Sequence, residues 1–531
     1  MDSQQTITRL FEESCQKYAD NPVYTALGFT ITFRELDALT KSFATYLQNK
    51  TNLKPGDRIA IQLPNLLQYP VVAFGALRAG LVIVNTNPLY TEDELEHQLT
   101  DAGAKALVVL ENFADIATKI LKKTNVEVVI TTQVGDMHST WKRLLINTVI
   151  KLKGQVKSFS IPDRVLLPDI LKATEQGPFT PVSAKPEDLA VLQYTGGTTG
   201  IAKGAMLSHS NLVSNTRQIH AHLPEVFREG QETYGAPLPL YHIYAFTMHL
   251  LCSLSSGNHS VLIPNPRDIG SIVKVFKAHP LTGFVGLNTL YNALLENRNF
   301  QKLDFSHLRY CAAGGMAMTL DTSTRWQALT GCEISEGYGL TETSPVVSSN
   351  QYHKTKVGTI GTLVPETQVK LIKEGDAESG ELLVKGPQVM MGYWNRPDET
   401  NNVLTEDGWL HTGDVAVIEE GGYIRIVDRI KDMIIVSGFK VFPNEIEDVI
   451  SLHPGISECA AIGVEDEHSG EVVKVFVVLK DPALTVTDIK HFCREKFTGY
   501  KVPKYIEIRS QLPKSNVGKI LRRVLKEETK E

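Results

Sequence analysis

Through the first 300 residues, short runs of β-branched and aliphatic residues alternate with longer stretches whose apolar positions recur every three or four residues. Strands are expected over 58–63, 106–110, 126–131 and 283–285, and helices over 69–78 and 92–101. Such alternation predicts α/β units built on parallel sheets. Over 358–385 and 422–427 the pattern becomes β-rich and is broken by Gly and Pro, which predicts an antiparallel or barrel-like piece.

After the charged cluster 428–432 (DRIKD) the two periods mix again. Helices are expected over 444–452 and 486–496, and strands over 457–464 and 472–479. The last hundred or so residues therefore read as a compact unit of their own. The predicted organisation is a large α/β body of two parallel-sheet subdomains plus a β-barrel-like subdomain, residues 1–430, followed by a small α+β domain, residues 431–531. No Pro/Ser-rich tether separates them, so the junction reads as a hinge between docked bodies.

Composition narrows the class. At 531 residues, 42% hydrophobic and 21% charged, the chain has ample material for large cores and no bias toward disorder. A net charge of −6 argues against nucleic-acid binding, although residues 492–531 carry eleven Lys/Arg against five Glu. That tail reads either as a solvated face or as a site for an anionic substrate or membrane headgroups. Six scattered cysteines without a Cys-x-x-Cys pair suggest neither a disulfide framework nor a zinc site. Residues 1–20 lack the apolar core of a signal peptide, and the most apolar window, 71–84, is too short to cross a bilayer. A reducing cytoplasm, with at most peripheral contact at the inner face of a membrane, is the expected setting.

The segment 194–205 (YTGGTTGIAKGA) sets Thr195, Gly196, Gly197, Thr198, Thr199 and Gly200 ahead of Lys203. Glycines let backbone N–H groups approach phosphate oxygens, and Thr hydroxyls and a lysine add donors and charge. The Gly-Lys-Ser/Thr ending of the common P-loop is missing, which weakens a kinase reading. Apolar runs at 189–194 and 204–208 predict a loop between two strands, with the next helix starting near Ser210 as its cap. Alone, such a loop is often only a turn.

Three further segments settle the resemblance: 336–345 (EGYGLTETSP), 408–414 (GWLHTGD) and 513–520 (PKSNVGKI). With the loop, and in this order, they resemble the adenylate-forming superfamily of acyl-CoA synthetases, luciferases and peptide-synthetase adenylation domains. Within it, 407–431 and 498–504 (TGYKVPK) are most similar to long-chain fatty-acid CoA ligases.

The resemblance implies an enzyme that joins ATP and a fatty acid into an acyl-adenylate and pyrophosphate, then lets CoA displace AMP. It implies that residues 195–203 cradle the β- and γ-phosphates and that Glu342, preceded by Thr341, holds Mg²⁺ with Thr195 nearby. Tyr338 would lie against adenine, with Gly314, Gly315, Glu336 and Gly337 completing that wall. Asp414 and Arg429 would hold the ribose, and Lys519 would enter the site for adenylation. The C-terminal domain would then pivot at Lys431, withdrawing Lys519 and presenting the turn around Gly438 to the pantetheine arm. His242 would guard the thiol entry, and 285–295 would either line an acyl tunnel or pack in a core. Members of the family are often dimers, so a homodimer is one expected state.

Alternatives remain at this point. No Asp or Glu lies in 241–246 to bind an amino group, which disfavours an amino acid substrate, and no insertion interrupts 407–433, which favours CoA over a carrier protein. A medium-chain or aryl acid stays open. So does a non-catalytic nucleotide- or lipid-binding relative, although Lys203, Glu342, Asp414, Arg429 and Lys519 are all present.

Overall fold

The structure, a computed structural model, describes residues 5–530 except 174–175, 196–201, 374, 376, 467 and 516–517. Two large sheets form the body. One has seven strands, running from Val165–Leu166 through Val128–Thr132, Ala104–Leu110, Arg58–Gln62 and Val82–Asn85 to Leu189–Thr195 and Lys203–Ser208. All its pairs are parallel except the last. The other has nine strands, with a parallel run from Ile334–Gly339 to Pro22–Ala26 and antiparallel strands at both edges.

The expected strands and helices of this region are all present, shifted by one or two residues at their ends. The helix Glu92–Ala102 owes its bounds to local chemistry. Thr91 and Glu94 form a capping box, and Gly103 ends the helix in the left-handed region at φ 60. The helix Gln68–Arg78 is buried at every position, because it lies within the core. Gly75 permits that packing, since a Cβ there would sit 2.8 Å from the Phe43 ring and 3.0 Å from the Thr40 carbonyl.

The β-rich region from 358 onward forms a four-stranded antiparallel sheet: Gln368–Lys373, Gly380–Lys385, Leu410–Ile418 and Ile424–Arg429. Its described pairings run from edge to edge without closing a ring, so the antiparallel alternative is the one the chain takes. The C-terminal unit is α+β. Its five strands pack the helices Pro443–Ser451 and Val486–Lys496 over a separate core of Ile434, Ile446, Val475 and Ile489.

Candidate functional site

The strand Leu189–Thr195 reverses directly into Lys203–Ser208, with Thr195 opposite Lys203. The predicted strand–loop–strand is therefore present, while Gly196, Gly197, Thr198, Thr199 and Gly200 lie outside the described residues. The following helix corrects one expectation. It begins at His209 and is capped by Ser208, whose hydroxyl accepts from Asn211 N at 3.1 Å, so Ser210 lies inside the first turn. The strand runs straight into the helix, leaving no loop residue to serve as cap.

Lys203 pairs with Glu399, and its ammonium lies 5.4 Å from the centre of the Tyr393 ring. Tyr393 in turn donates its hydroxyl to Glu342 Oε1 at 2.6 Å. Glu342 sits between Thr341 and Thr343 on a single 3₁₀ turn, held by Met390 N donating to its carbonyl at 2.8 Å. Two motifs far apart in sequence thus meet through Tyr393, a residue the sequence reading missed. Its only signal was an aromatic pair, Tyr393 and Trp394, between Gly392 and Asn395.

The second group lies where the nine-stranded and four-stranded sheets approach. Asp414 and Arg429 are register partners on neighbouring strands, and Arg429 Nε lies 3.1 Å from Asp414 Oδ1. Tyr338 donates its hydroxyl to Asp414 Oδ2 at 2.5 Å. Burial, then the Asp414 charge, pushes that hydroxyl well above its usual range, so it stays a donor. A carboxylate offers about four acceptor sites, so these two partners leave Asp414 free to accept more.

Gly314 and Gly337 approach each other beside Tyr244. A Cβ on Gly314 would sit 3.3 Å from the Tyr244 ring and 3.4 Å from the Gly337 carbonyl, and Gly315 takes φ 82. Glu336 behaves differently from its neighbours. Its buried carboxyl accepts from Met318 N at 3.0 Å and Gly358 N at 3.3 Å, tying two loops to the strand end. Burial raises it to about 7, against the pull of those two amides. What Glu336 can offer a neighbouring ring is its backbone.

Lys519 arrives from the C-terminal unit. The preceding Gly518 lies so close to the helix Asn288–Leu295 that a Cβ would meet Thr289 Oγ1 at 2.7 Å. The Lys519 amine is lowered to about 8, by burial first and by Arg429 next, while Asp414 opposes the shift. His242 is lowered to about 4 by burial and by the charge of Lys519. Both side chains keep surface open to water although protein surrounds them, as groups lining an internal cleft do. The imidazole is neutral near pH 7, with Nδ1 accepting from Tyr244 N at 3.4 Å.

Other expected residues fall elsewhere. Gly438, φ 85, occupies an exposed turn between Ile434–Val436 and Phe439–Val441, with open space where its Cβ would stand. Lys431 lies in the turn Ile430–Asp432, its amine lowered by burial and by Arg429. In the helix Asn288–Leu295, Tyr291 packs edge-on against Trp326 and donates to the Ala312 carbonyl at 2.8 Å, so much of its apolar face is core. A group the sequence did not disclose is Arg522. It bonds Glu447 at 2.7 Å and Asn444 at 2.5 Å and lies 3.7 Å from the buried Asp428, joining the C-terminal unit to the strand that leads into it.

An ammonium lowered to about 8 predicts a pH limb. For the free enzyme, the ATP-dependent activation of a carboxylic acid should lose kcat/KM as pH rises through about 8, because the protonated fraction of Lys519 falls there. Rates of pyrophosphate exchange from pH 6 to 10 check this. The limb should vanish in Lys519→Ala; a limb that persists there assigns it to another group.

Comparisons with known proteins identify the family. The description "AMP-binding enzyme" matches residues 11–394, and "AMP-binding enzyme C-terminal domain" matches 445–519. A long-chain-fatty-acid–CoA ligase of Escherichia coli is 51% identical over 536 residues, covering 100% of this chain and 95% of that protein. The crystal structure of ATP-bound MatB from Rhodopseudomonas palustris is similar with a TM-score of 0.85 at 29% identity, covering 99% of each chain. The apo form of the same relative scores 0.75 at the same identity and coverage. With sequence held constant, the difference lies in arrangement, and this chain is nearer the ATP-bound one. Matched along most of its length by the family's two parts, this chain belongs to the AMP-binding enzyme family.

Proposed function

We propose that this protein is a long-chain fatty-acid CoA ligase, converting ATP, a fatty acid and CoA into acyl-CoA, AMP and pyrophosphate through an acyl-adenylate. The Tyr338–Asp414–Arg429 group, with Gly518 bringing the Lys519 segment against the helix Asn288–Leu295, carries the reading. The similarity to the E. coli ligase supports the choice of acid and acceptor.

Adenylation brings a carboxylate onto a phosphate, two anions that repel, so the site must offer fixed positive charge and donors. Lys519 supplies an ammonium between the carboxylate and the α-phosphate. Asp414 takes the ribose hydroxyls on its free acceptor sites, and Arg429 steadies it. Tyr338, with Gly314, Gly315, Gly337 and the backbone of Glu336, forms the slot for adenine. Lys203 and residues 195–200 hold the outer phosphates.

Among the described residues no three His, Cys, Asp or Glu gather into a metal cage. A single carboxylate, Glu342, with the Thr195 hydroxyl fits Mg²⁺, an ion that keeps several waters and binds largely through phosphate oxygens. When bound it would neutralise phosphate charge. Once the acyl-adenylate has formed, residues 431–531 turn about Lys431 against residues 1–430, Lys519 leaves, and the turn at Gly438 comes up beside the pantetheine arm. Neutral His242 stands at the thiol's entry.

The setting we infer is the cytoplasm, with peripheral contact at the inner face of a membrane, and a homodimer is the expected assembly. No helix among the described residues is long and apolar enough to cross a membrane. A rate profile across saturated acids of two to about eighteen carbons tests the substrate class. Pyrophosphate exchange should rise with length and peak among the long chains. A peak at short or aryl acids transfers the reading to that substrate class, and no exchange with any acid removes the enzyme reading.

A further inference from the structure

The helix Thr140–Leu152 lies beyond the strand Val128–Thr132 and buries none of its residues. Positions 141, 144, 145, 148, 149 and 152 recur at helical spacing and form one face. Five of the six are apolar: Trp141, Leu144, Leu145, Val149 and Leu152. That face points outward, with Trp141 64%, Leu144 60%, Leu145 57% and Leu152 82% exposed. The opposite side, with Ile146 and Ile150 half-buried, is pinned to the body. Asn147 donates to Gln133 Oε1 at 2.7 Å and accepts from Gly135 N at 2.8 Å.

A surface helix ordinarily turns its apolar side to the body, yet here a second, longer apolar stripe is left in water beyond the two isoleucines that face inward. Solvent alone gives no reason for that stripe. Charge indicates what covers it. Residues 140–157 carry Lys142, Arg143, Lys151, Lys153 and Lys157 and no Asp or Glu, in a chain whose net charge is −6. Among the described residues Lys142, Lys151 and Lys153 make no salt bridge, while Lys157 lies 3.5 Å from Asp115. Lys142 sits 5.6 Å from the Trp141 ring centre, an indole and an ammonium at one level. The basic C-terminal tail contrasts with this. There Arg509, Lys514, Arg522 and Arg523 are engaged by Glu528, Glu458, Glu447 and Glu527.

We propose that Thr140–Leu152 is an in-plane membrane helix. Its outward stripe sinks into the boundary between headgroups and acyl chains of an anionic bilayer, and Lys142, Lys151 and Lys153 lie among the headgroups. The bilayer's negative surface matches the local positive charge, and its acyl layer matches the stripe. A soluble protein partner would need no such ring of unpaired lysines. The inference deepens the peripheral-membrane reading above by assigning the contact to this helix, and it rests on that reading for its biological sense, since a ligase so held would take fatty acid from the surface where it partitions.

Flotation of the full-length protein with vesicles tests it. Vesicles of phosphatidylcholine with about 30% phosphatidylglycerol should carry the protein, neutral vesicles should carry much less, and raised salt should release it. Joint replacement Leu144→Glu, Leu145→Glu and Leu152→Glu, or Lys142→Glu, Lys151→Glu and Lys153→Glu, should weaken anionic-vesicle binding by about tenfold or more. The tail control Arg494→Glu with Lys496→Glu should bind as wild type. Octanoate activation in vesicle-free buffer should be unchanged in all of them, which separates lost docking from lost folding.

As a measurement that needs no disruptive variant, lipids brominated along their chains should quench tryptophan emission in the wild type, and Trp141→Phe should abolish most of that quenching. Wild type that ignores anionic vesicles, quenching that survives Trp141→Phe, or a dimer that the leucine variants split without changing flotation would each overturn the proposal. Flotation requires no turnover. Vesicle binding without ligase activity would therefore remove the function proposed above and leave the helix assignment standing.

Discussion

Replacing Lys519 with alanine should cut fatty-acid-dependent ATP–pyrophosphate exchange by about a hundred- to a thousandfold, the usual cost of deleting one preorganised charged donor. The ammonium feels the charges of Arg429 and Asp414, and its own charge reaches His242, so it acts within one electrostatic neighbourhood. It is lowered only to about 8, so most of it is still charged at pH 7. Thioester formation from preformed acyl-adenylate should be largely retained, because in the proposed mechanism Lys519 serves the first half-reaction alone. The fold should not suffer. A lysine whose folded pKa lies below its usual value is charged at a cost to the native state, so its removal should leave the melting temperature unchanged or higher. Equal loss in both half-reactions, with a normal melting temperature, would contradict a lysine that withdraws between steps.

The same residue shows how far the sequence could be read. Lys519 stood out because Gly518 and Ile520 flank it in a segment that resembles a known motif, and in the structure the neighbouring Gly518 packs against Thr289 of the N-terminal body. Periodicity placed the strands and helices well wherever one face is buried and the other wet. It was mute where that asymmetry fails. The helix Gln68–Arg78 was placed to within a residue, but its burial on every side was not foretold, and Arg78, its glycines and its shortness set the apolar window 71–84 apart from a membrane span. The helix Thr140–Leu152 carries a stripe that any core-facing helix would carry, and nothing in a one-dimensional pattern says which side meets the body.

Side-chain roles were legible in proportion to how local they are. The capping box at Thr91 and Glu94 can be read from four letters. Ser208 as a cap could not, because it depends on the strand Lys203–Ser208 ending where the helix starts. Glu336 sits in a motif beside the glycines of the expected adenine slot, yet its carboxyl turns to Met318 N and Gly358 N, contacts set by two loops distant in sequence. Arg522 is one of many C-terminal cations by composition. Only the fold places it among Asp428, Asn444 and Glu447, where one guanidinium fork ties the strand Ile424–Arg429 to the C-terminal unit.

Asp414→Asn tests the proposed ribose contact apart from packing, and on that proposal it should raise KM for ATP by about ten- to a hundredfold while changing the rate at saturation far less. The asparagine keeps the shape, and its carbonyl oxygen can still accept from Tyr338, so the pocket's outline survives. What goes is the charge. Arg429 loses its buried partner at 3.1 Å, and the ribose hydroxyls lose an ionic acceptor, a bond of about 1.5–3 kcal/mol each way. Because the sugar is held in ground state and transition state alike, the loss is of uniform binding and belongs in KM. Stability should fall as well, since Arg429 is left half-buried and unpaired, and ATP at saturation should restore only part of the lost melting temperature. Asp414→Ala should be worse on both counts, because it also removes the acceptor for the Tyr338 hydroxyl. An Asn variant with unaltered KM for ATP would show that Asp414 serves the Tyr338 and Arg429 contacts alone, and the nucleotide would have to be held elsewhere.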